Sequence, residues 1–225
     1  MFNGVLWVSD CMTGKMSGIQ SISTSVLDNP ICQARRKIKG SICEKCFACA
    51  TLNRYSDLQT HLHDNFLLMN NSVIDWDDLP RFRNANIVRF ESFGDSASVN
   101  HVINTFNICR KNPNVQFTIW TKNPNFIVQA LKQGYTKPEN LIIVLSSAKL
   151  NEVETMVYKF VDIVFTVFTA EYAIEHDITI NCGSRDCLGC MKCYTKHDGI
   201  VYVNEMLKSQ QKKYEKLLEA KKGTR

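Results

Sequence analysis

The sequence predicts an α/β fold, a partial or open β/α barrel with parallel strands, cysteine-rich loops at both ends and a C-terminal helix. Three observations lead there. Short apolar runs alternate with single helical stripes through the middle of the chain. The runs lack strict two-residue alternation, as expected of strands covered by helices on both faces. Two tight groups of cysteines bracket the alternating region.

The elements follow in order. Val5 to Ser9 and Ile19 to Thr24 supply one or two early strands, and Leu52 to Asn70 reads as a helix. Asn86 to Glu91 is a strand. Ala97 to Lys111 carries Val99, Val102, Ile103, Phe106 and Cys109 at helical spacing. Asn112-Pro113-Asn114 turns the chain into a strand from Val115 to Trp120. Asn125 to Gln133 is helical and stops at Gly134, a C′ glycine. Leu141 to Ser146 and Ile163 to Phe168 are further strands, with a helix expected between them from Asn151 to Phe160. Single helices between strands imply right-handed βαβ units. Five or six such units suit an open barrel better than a closed eight-fold one. A doubly wound sheet is the alternative, although no Gly-x-Gly-x-x-Gly turn supports a dinucleotide site. Met206, Leu207, Tyr214, Leu217 and Leu218 predict a closing helix over 203–222 that packs one face on the body.

Composition sets the frame. With 225 residues, 44% hydrophobic and 22% charged, the chain reads as one globular domain, 1–225, able to bury a substantial core. Its longest apolar runs are too short to cross a bilayer. The first ten residues carry no signal-peptide pattern, so a reducing cytoplasmic location is expected. There, spaced cysteines favour metal over disulfides. The formal charge is +5, but seven basic residues against three acidic ones lie between Glu205 and Arg225. Charge concentrated on a solvated tail disfavours a nucleic-acid partner.

The cysteines carry the chemistry. Within 29–50 stand Cys32, Cys43, Cys46 and Cys49, and within 181–194 stand Cys182, Cys187, Cys190 and Cys193. Two-residue gaps recur in both groups, and a short turn across such a gap aims both sulfurs at one point. Thiolates select zinc or iron–sulfur clusters. The C-x4-C-x2-C spacing of Cys182, Cys187 and Cys190 is also that of plant-type ferredoxins, which favours iron–sulfur, with zinc instead or in addition as the alternative. Cys32 and Cys49 also fit buried apolar roles, as do the isolated Cys11 and Cys109. One site shared by both ends of the chain and two separate sites are both open.

Cys46 followed by Phe47-Ala48 resembles the cluster loop of some radical S-adenosylmethionine-like proteins, although the x2–x2 spacing is one residue short of that superfamily's C-x3-C-x2-C. A closer resemblance is ordered along most of the chain. It comprises Asn29-Pro30-Ile31-Cys32 with Ser41-Ile42-Cys43-Glu44-Lys45-Cys46-Phe47-Ala48, then Val88-Arg89-Phe90-Glu91-Ser92-Phe93-Gly94-Asp95. It continues through Asn112-Pro113-Asn114-Val115-Gln116-Phe117-Thr118-Ile119-Trp120-Thr121-Lys122 to Asn181-Cys182-Gly183 with Cys187, Cys190 and Cys193-Tyr194, and ends at Tyr202-Val203-Asn204-Glu205. These stretches are similar to the phage gene product 88 family. The resemblance implies a phage-encoded protein in the host cytoplasm with a [4Fe-4S] cluster, distantly radical-S-adenosylmethionine-like. It maps the ligands onto Cys32, Cys43, Cys46, Cys182, Cys187, Cys190 and Cys193, leaving Cys49 outside.

Asp95 and Lys122 follow strand ends, where the loops of parallel β/α proteins build active sites. Asp95 is a candidate catalytic base or ligand, and Lys122 a candidate holder of an anionic substrate or tuner of a cluster. A loop salt bridge or helix cap is the plainer role for either. The five histidines show no ligand spacing, and no serine-hydrolase elbow is present. The expectation is an auxiliary enzyme using a cluster for redox, radical or Lewis-acid (hydrolytic) chemistry on a small molecule. The alternative is a non-enzymatic structural zinc or iron–sulfur protein.

Overall fold

The computed structural model describes residues 1–10, 12–183 and 186–223. Cys11, expected to be a buried structural thiol, lies outside them. A short antiparallel pair, β1 (Phe2–Asn3) and β2 (Leu6–Trp7), opens the chain. After β3 (Gln20–Ile22) come the helices α1 (Pro30–Arg36), α2 (Phe47–Leu52) and α3 (Ser56–Asn71). Strand β4 (Ile87–Phe90), helix α4 (Val99–Lys111), strand β5 (Gln116–Thr121) and helix α5 (Asn125–Lys132) follow, then β6 (Leu141–Ser146) and β7 (Ile163–Phe168). The chain finishes with α6 (Ala170–Glu175), α7 (Cys187–Cys190), β8 (Val201–Met206) and α8 (Gln211–Gly223).

Strands β3 to β8 form one six-stranded sheet in which every pairing is parallel and the strand order is the chain order. A doubly wound sheet reverses its order at a switch point; this one does not. The first and last strands do not pair, so the sheet is open.

Alternate strand residues point to opposite faces, and here the two faces differ. Val88, Phe90, Phe117, Ile119, Ile143 and Val164 pack with Met69 of α3, Val102 and Phe106 of α4, and Ile127 of α5 in the main core. Each side chain of this size contributes about 1.5–3 kcal/mol when fully buried. The intervening residues form a second cluster. There Ile142, Val144, Ile163 and Val203 pack with Trp120, Phe165, Cys182 and Cys193. Helices were expected on both faces. Instead they pack by one parity of residues, and the second cysteine segment covers the other.

Two further expectations are corrected. No helix forms over 151–160, among the described residues. Asn151 takes a left-handed φ of 63°, donates its N–H to Val167 O at 3.0 Å and binds Thr169 through its side chain. That pins the segment to the end of β7, and Met156 is left exposed rather than on a packed stripe. The closing helix does not begin at residue 203 either. Val201, Tyr202 and Val203 have strand-favouring side chains and pair with β7 along its full length, so the helix starts only at Gln211. Its Tyr214 and Leu217 pack on Phe168 and Met206 as the stripe predicted. Lys213 pairs with Glu171, and Lys221 with Asp177 at 2.5 Å, which ties two of the tail's cations to the body. No helix among the described residues is long and apolar enough to cross a membrane.

Candidate functional site

The first cysteine group assembles beyond the C-terminal ends of β3 to β6. Asn29 caps α1, its side-chain oxygen accepting from Ile31 N at 3.0 Å and Cys32 N at 3.3 Å, with Pro30 preset for the first turn. The Asn29 amide also donates to Asp95 O at 2.7 Å, so the turn that carries Cys32 is fastened to the loop after β4. The Cys43–Cys46 turn docks elsewhere on the same rim. Ile42 N donates to Ala148 O at 3.0 Å, beyond β6, and Ser41 Oγ donates to Arg35 O at 3.0 Å. Cys46 occupies the N-cap position of α2, with no side-chain capping bond.

Electrostatics show which thiols are neighbours. Burial pushes the Cys32 thiol well up, and Asp95, Glu91, Cys43 and Cys46 push it further. Burial also raises Cys43, with Cys46 adding to the rise while Lys122 and Arg35 oppose it. Cys43 thus lies near enough to Cys46, Lys122 and Arg35 to feel their charge. Cys49 is the most deeply buried of the group, 3% exposed among Val26, Ala48, Leu52 and Leu62, and Cys32 and Cys46 pack against the same cluster from its edge. Cys109 is likewise buried, on α4.

Asp95 and Lys122 meet at this rim. Asp95 Oδ1 accepts from Thr121 Oγ1 at 2.7 Å and Ser96 N at 2.9 Å, and Oδ2 accepts from Lys122 N at 2.9 Å. Arg35 stands 3.6 Å from Oδ2 and donates to Lys122 O at 2.6 Å. Both oxygens of the carboxylate are thus engaged in joining the β4 and β5 loops to α1. Asp95 holds the place of the thiols. The Lys122 charge opposes the rise of the Cys43 thiol.

Sequence reasoning missed Glu91 and His101. Glu91 has a left-handed φ of 55°, uncommon for a residue with a side chain, directly after β4. Its Oε2 accepts from Thr24 Oγ1 at 2.9 Å, and Oε1 lies 3.1 Å from His101 Nε2. That approach is an ion-pair distance without hydrogen-bond alignment, since neither atom has an aligned partner. Both side chains are wholly sealed from water. Burial raises the Glu91 carboxyl, opposed first by His101. Gly94 closes the same loop at φ 91°, and a Cβ there would strike Glu91 Oε2 and come within 2.7 Å of Thr24 O.

The second group lies on the helix-free face of the sheet. Cys182 bridges Glu205 of β8, with Cys182 N donating to Asn204 O at 3.0 Å. Asp186 caps the single turn α7 by accepting from Gly189 N. Met191 turns the chain at φ 54°, and Lys192 Nζ donates to Asn181 O at 3.0 Å, drawing Cys193 back beside Cys182. Burial raises Cys193 to about 12, and Cys182, Cys187 and Cys190 all add to it. Cys182 rises to about 11 from burial first and then Glu205, with Lys15 opposing. The seven predicted ligands fall into three and four, and the thiols that raise Cys32, Cys43, Cys182, Cys187 and Cys193 come in each case from the same group.

The nine described cysteines are free thiols. Among the described residues, no group of three or more His, Cys, Asp or Glu side chains is arranged to hold a single metal ion. Four thiolates on one zinc require sulfurs about 3.8 Å apart, given Zn–S of about 2.3 Å in a tetrahedron. All-cysteine donors are of the type that suits zinc or an iron–sulfur cluster, whose ligands bind different irons. Three histidines stand elsewhere: His61 stacks on Trp7, His63 pairs with Asp28, and His176 lies against Tyr172, whereas His197 Nε2 lies 2.8 Å from Lys192 O beside Cys193. Two clefts at the edge around Arg81, Phe82 and Arg83 contain no thiol.

The family model of Gene product 88, a phage gene product family, matches residues 18–221. The chain belongs to the Gene product 88 family. That match spans both cysteine groups and the whole parallel sheet. No curated protein and no solved structure matches the chain.

Proposed function

We propose that this Gene product 88 protein is a phage-encoded auxiliary enzyme of the host cytoplasm, with a [4Fe-4S] cluster on Cys32, Cys43 and Cys46. The observation that carries the reading is exposure. Cys32, Cys43 and Cys46 are half-buried beyond the C-terminal ends of a parallel sheet, where loops after strands supply active sites, while Cys49 is sealed at 3% exposure. Cys49, the nearest fourth candidate in sequence, is taken up by the core.

A cluster with three protein ligands supplies one iron with an open position, able to bind a small substrate or co-substrate for redox, radical or Lewis-acid chemistry. The chain's own residues prepare the place. Arg35 and Lys122 offset the negative charge of the thiolates, and Lys122 is the group in reach to hold an anionic substituent of the substrate. Asp95 positions both cations, through its ion pair with Arg35 and its bond to Lys122 N. The raised thiols are protonated when metal-free, so loading the site releases protons and is favoured by higher pH.

The reading treats the sheet as the wall of an open β/α barrel. Support comes from Lys15, which lies five residues before β3 and bonds Glu205 of β8 at 2.8 Å. In a flat sheet those strands would stand about 24 Å apart, at about 4.8 Å per step. The link from Lys15 to Gln20 is itself folded by a turn, with Ile19 N donating to Met16 O at 3.1 Å. Curling the sheet brings the two edges within that short reach.

The second reading is a non-enzymatic structural centre. The observation on its side is Asp95, whose oxygens are both committed to holding loops. Metal and sulfide analysis of anaerobically prepared protein tests the cofactor common to both. Brown protein with about four irons and four sulfides per cluster is expected, and colourless protein holding only zinc overturns the proposal.

A further inference from the structure

The helix-free face of the sheet carries a set of polar atoms that the open-iron site does not use. Arg89, on β4, stacks its guanidinium 3.8 Å from the centre of the Trp120 ring and points Nη1 at Met16 Sδ, 2.8 Å away. No carboxylate pairs with it among the described residues, and its Nε is sealed from water without a partner. Thr118 Oγ1 and the Tyr194 hydroxyl, on the same face, are sealed and unpartnered too. Thr118 is completely buried and Tyr194 is 3% exposed. The Tyr194 hydroxyl lies close to both Arg89 and Cys187, but not in hydrogen-bond alignment with either. A partly buried cation and two buried hydroxyls, all capable donors, lie on the face where Cys182 and Cys193 pack with Trp120, Phe165 and the aliphatic side chains.

We propose that Cys182, Cys187, Cys190 and Cys193 form a second [4Fe-4S] centre, separate from the first and coordinatively complete, with Arg89 as its counter-cation. The spacing Cys187-x2-Cys190-x2-Cys193 is the C-x2-C-x2-C run by which bacterial ferredoxins hold such a cluster. The fourth ligand, Cys182, is delivered by its bridge to β8 rather than by the run itself. Four thiolates leave the centre net anionic, and no carboxylate among the described residues neutralises the cation beside it. Lys15, the second nearby cation, already pairs with Glu205. N–H and O–H donors of Arg89 and Tyr194 are suited to the sulfurs of a cluster, and hydrogen bonds of that kind set its potential. With four protein ligands there is no open iron, so this centre's role is to pass electrons and to seal the uncovered face.

The inference shares with the proposed function only the metal type, and one set of preparations separates them. Anaerobic wild type, Cys43→Ala/Cys46→Ala and Cys187→Ala/Cys190→Ala are analysed for iron, zinc and sulfide, with EPR after reduction. Wild type is expected to hold about eight irons, and each double variant about four. If the first pair removes nothing and the second pair removes all the iron, the open site falls and this centre stands. If both pairs abolish the same four irons, or if the iron surviving Cys43→Ala/Cys46→Ala is replaced by zinc, this centre falls. Arg89→Gln, which leaves every thiol in place, guards against a folding failure. It is expected to keep the full iron content and to move one of two reduction steps to lower potential, while Arg89→Lys largely restores it. No movement of either step removes Arg89 from the proposal.

Discussion

Cys43→Ala protein is expected to lose one cluster while remaining folded. Cys43 sits in a docked surface turn, half-buried, and the turn is held by backbone bonds from Ile42 to Ala148 and from Glu44 to Ser41, none of which involves the thiol. Stability of the metal-free protein should therefore change by less than about 1 kcal/mol, as for substitutions outside the core. Iron should fall by about four per chain, the content of one cluster. Cys49→Ala provides the contrast. Its sulfur lies in the cluster of Val26, Ala48, Leu52 and Leu62, so it should cost about 1 kcal/mol of stability and no iron. Chemical denaturation of the metal-free proteins and iron analysis of the loaded ones check the pair of outcomes. Iron retained in Cys43→Ala and lost in Cys49→Ala would invert the assignment of ligands.

Asp95→Ala is expected to unfold the rim rather than only silence a reaction. The substitution strips partners from Thr121 Oγ1, Ser96 N and Lys122 N, and leaves Arg35 without its carboxylate. Breaking a buried ion pair by removing one member costs about 3–5 kcal/mol. The pair here is 3.6 Å long with Arg35 partly exposed, so the orphaned donors supply much of that loss. Asp95→Asn keeps an acceptor for Thr121 and should lose about half as much. Thermal unfolding of the two variants is the check. A stable Asp95→Ala protein that loads its clusters fully, yet is inactive, would instead make Asp95 a catalytic group that touches substrate.

Much of the sheet was legible because its strands are apolar runs bounded by turn residues. Leu141–Ser146 and Ile163–Phe168 appear in the structure with their predicted bounds. Gly134, at φ 92°, marks the end of its helix by local chemistry that needs no tertiary context, whereas Ser98, inside the helix expected from Ala97, is the cap of α4. What failed was decided by distant partners. Val203 fits a helical stripe and a strand equally well, and only pairing with Phe165 on β7 selects the strand. Asn151 begins a plausible helix until its bonds to Val167 and Thr169 fix it otherwise.

The candidate site divides in the same way. Thiol spacing marks the two groups, since residues separated by two positions can meet across one turn. Their separation into three and four was invisible, because it depends on which sheet face covers each segment. Glu91 and Arg89 carried no local signal. A left-handed φ and an unpaired guanidinium are properties of the fold, although both residues lie in the stretch from Val88 to Asp95 that marks the family.

The central claim is an iron that no protein side chain occupies, held by Cys32, Cys43 and Cys46. EPR of the reduced, anaerobic protein, recorded with and without a small chelating ligand such as S-adenosylmethionine or citrate, addresses it most directly. The account predicts that one cluster signal changes with a ligand, and that this signal is missing from Cys43→Ala. Cluster signals that ignore every such ligand in wild type, or a responsive signal that survives in Cys43→Ala, would contradict it.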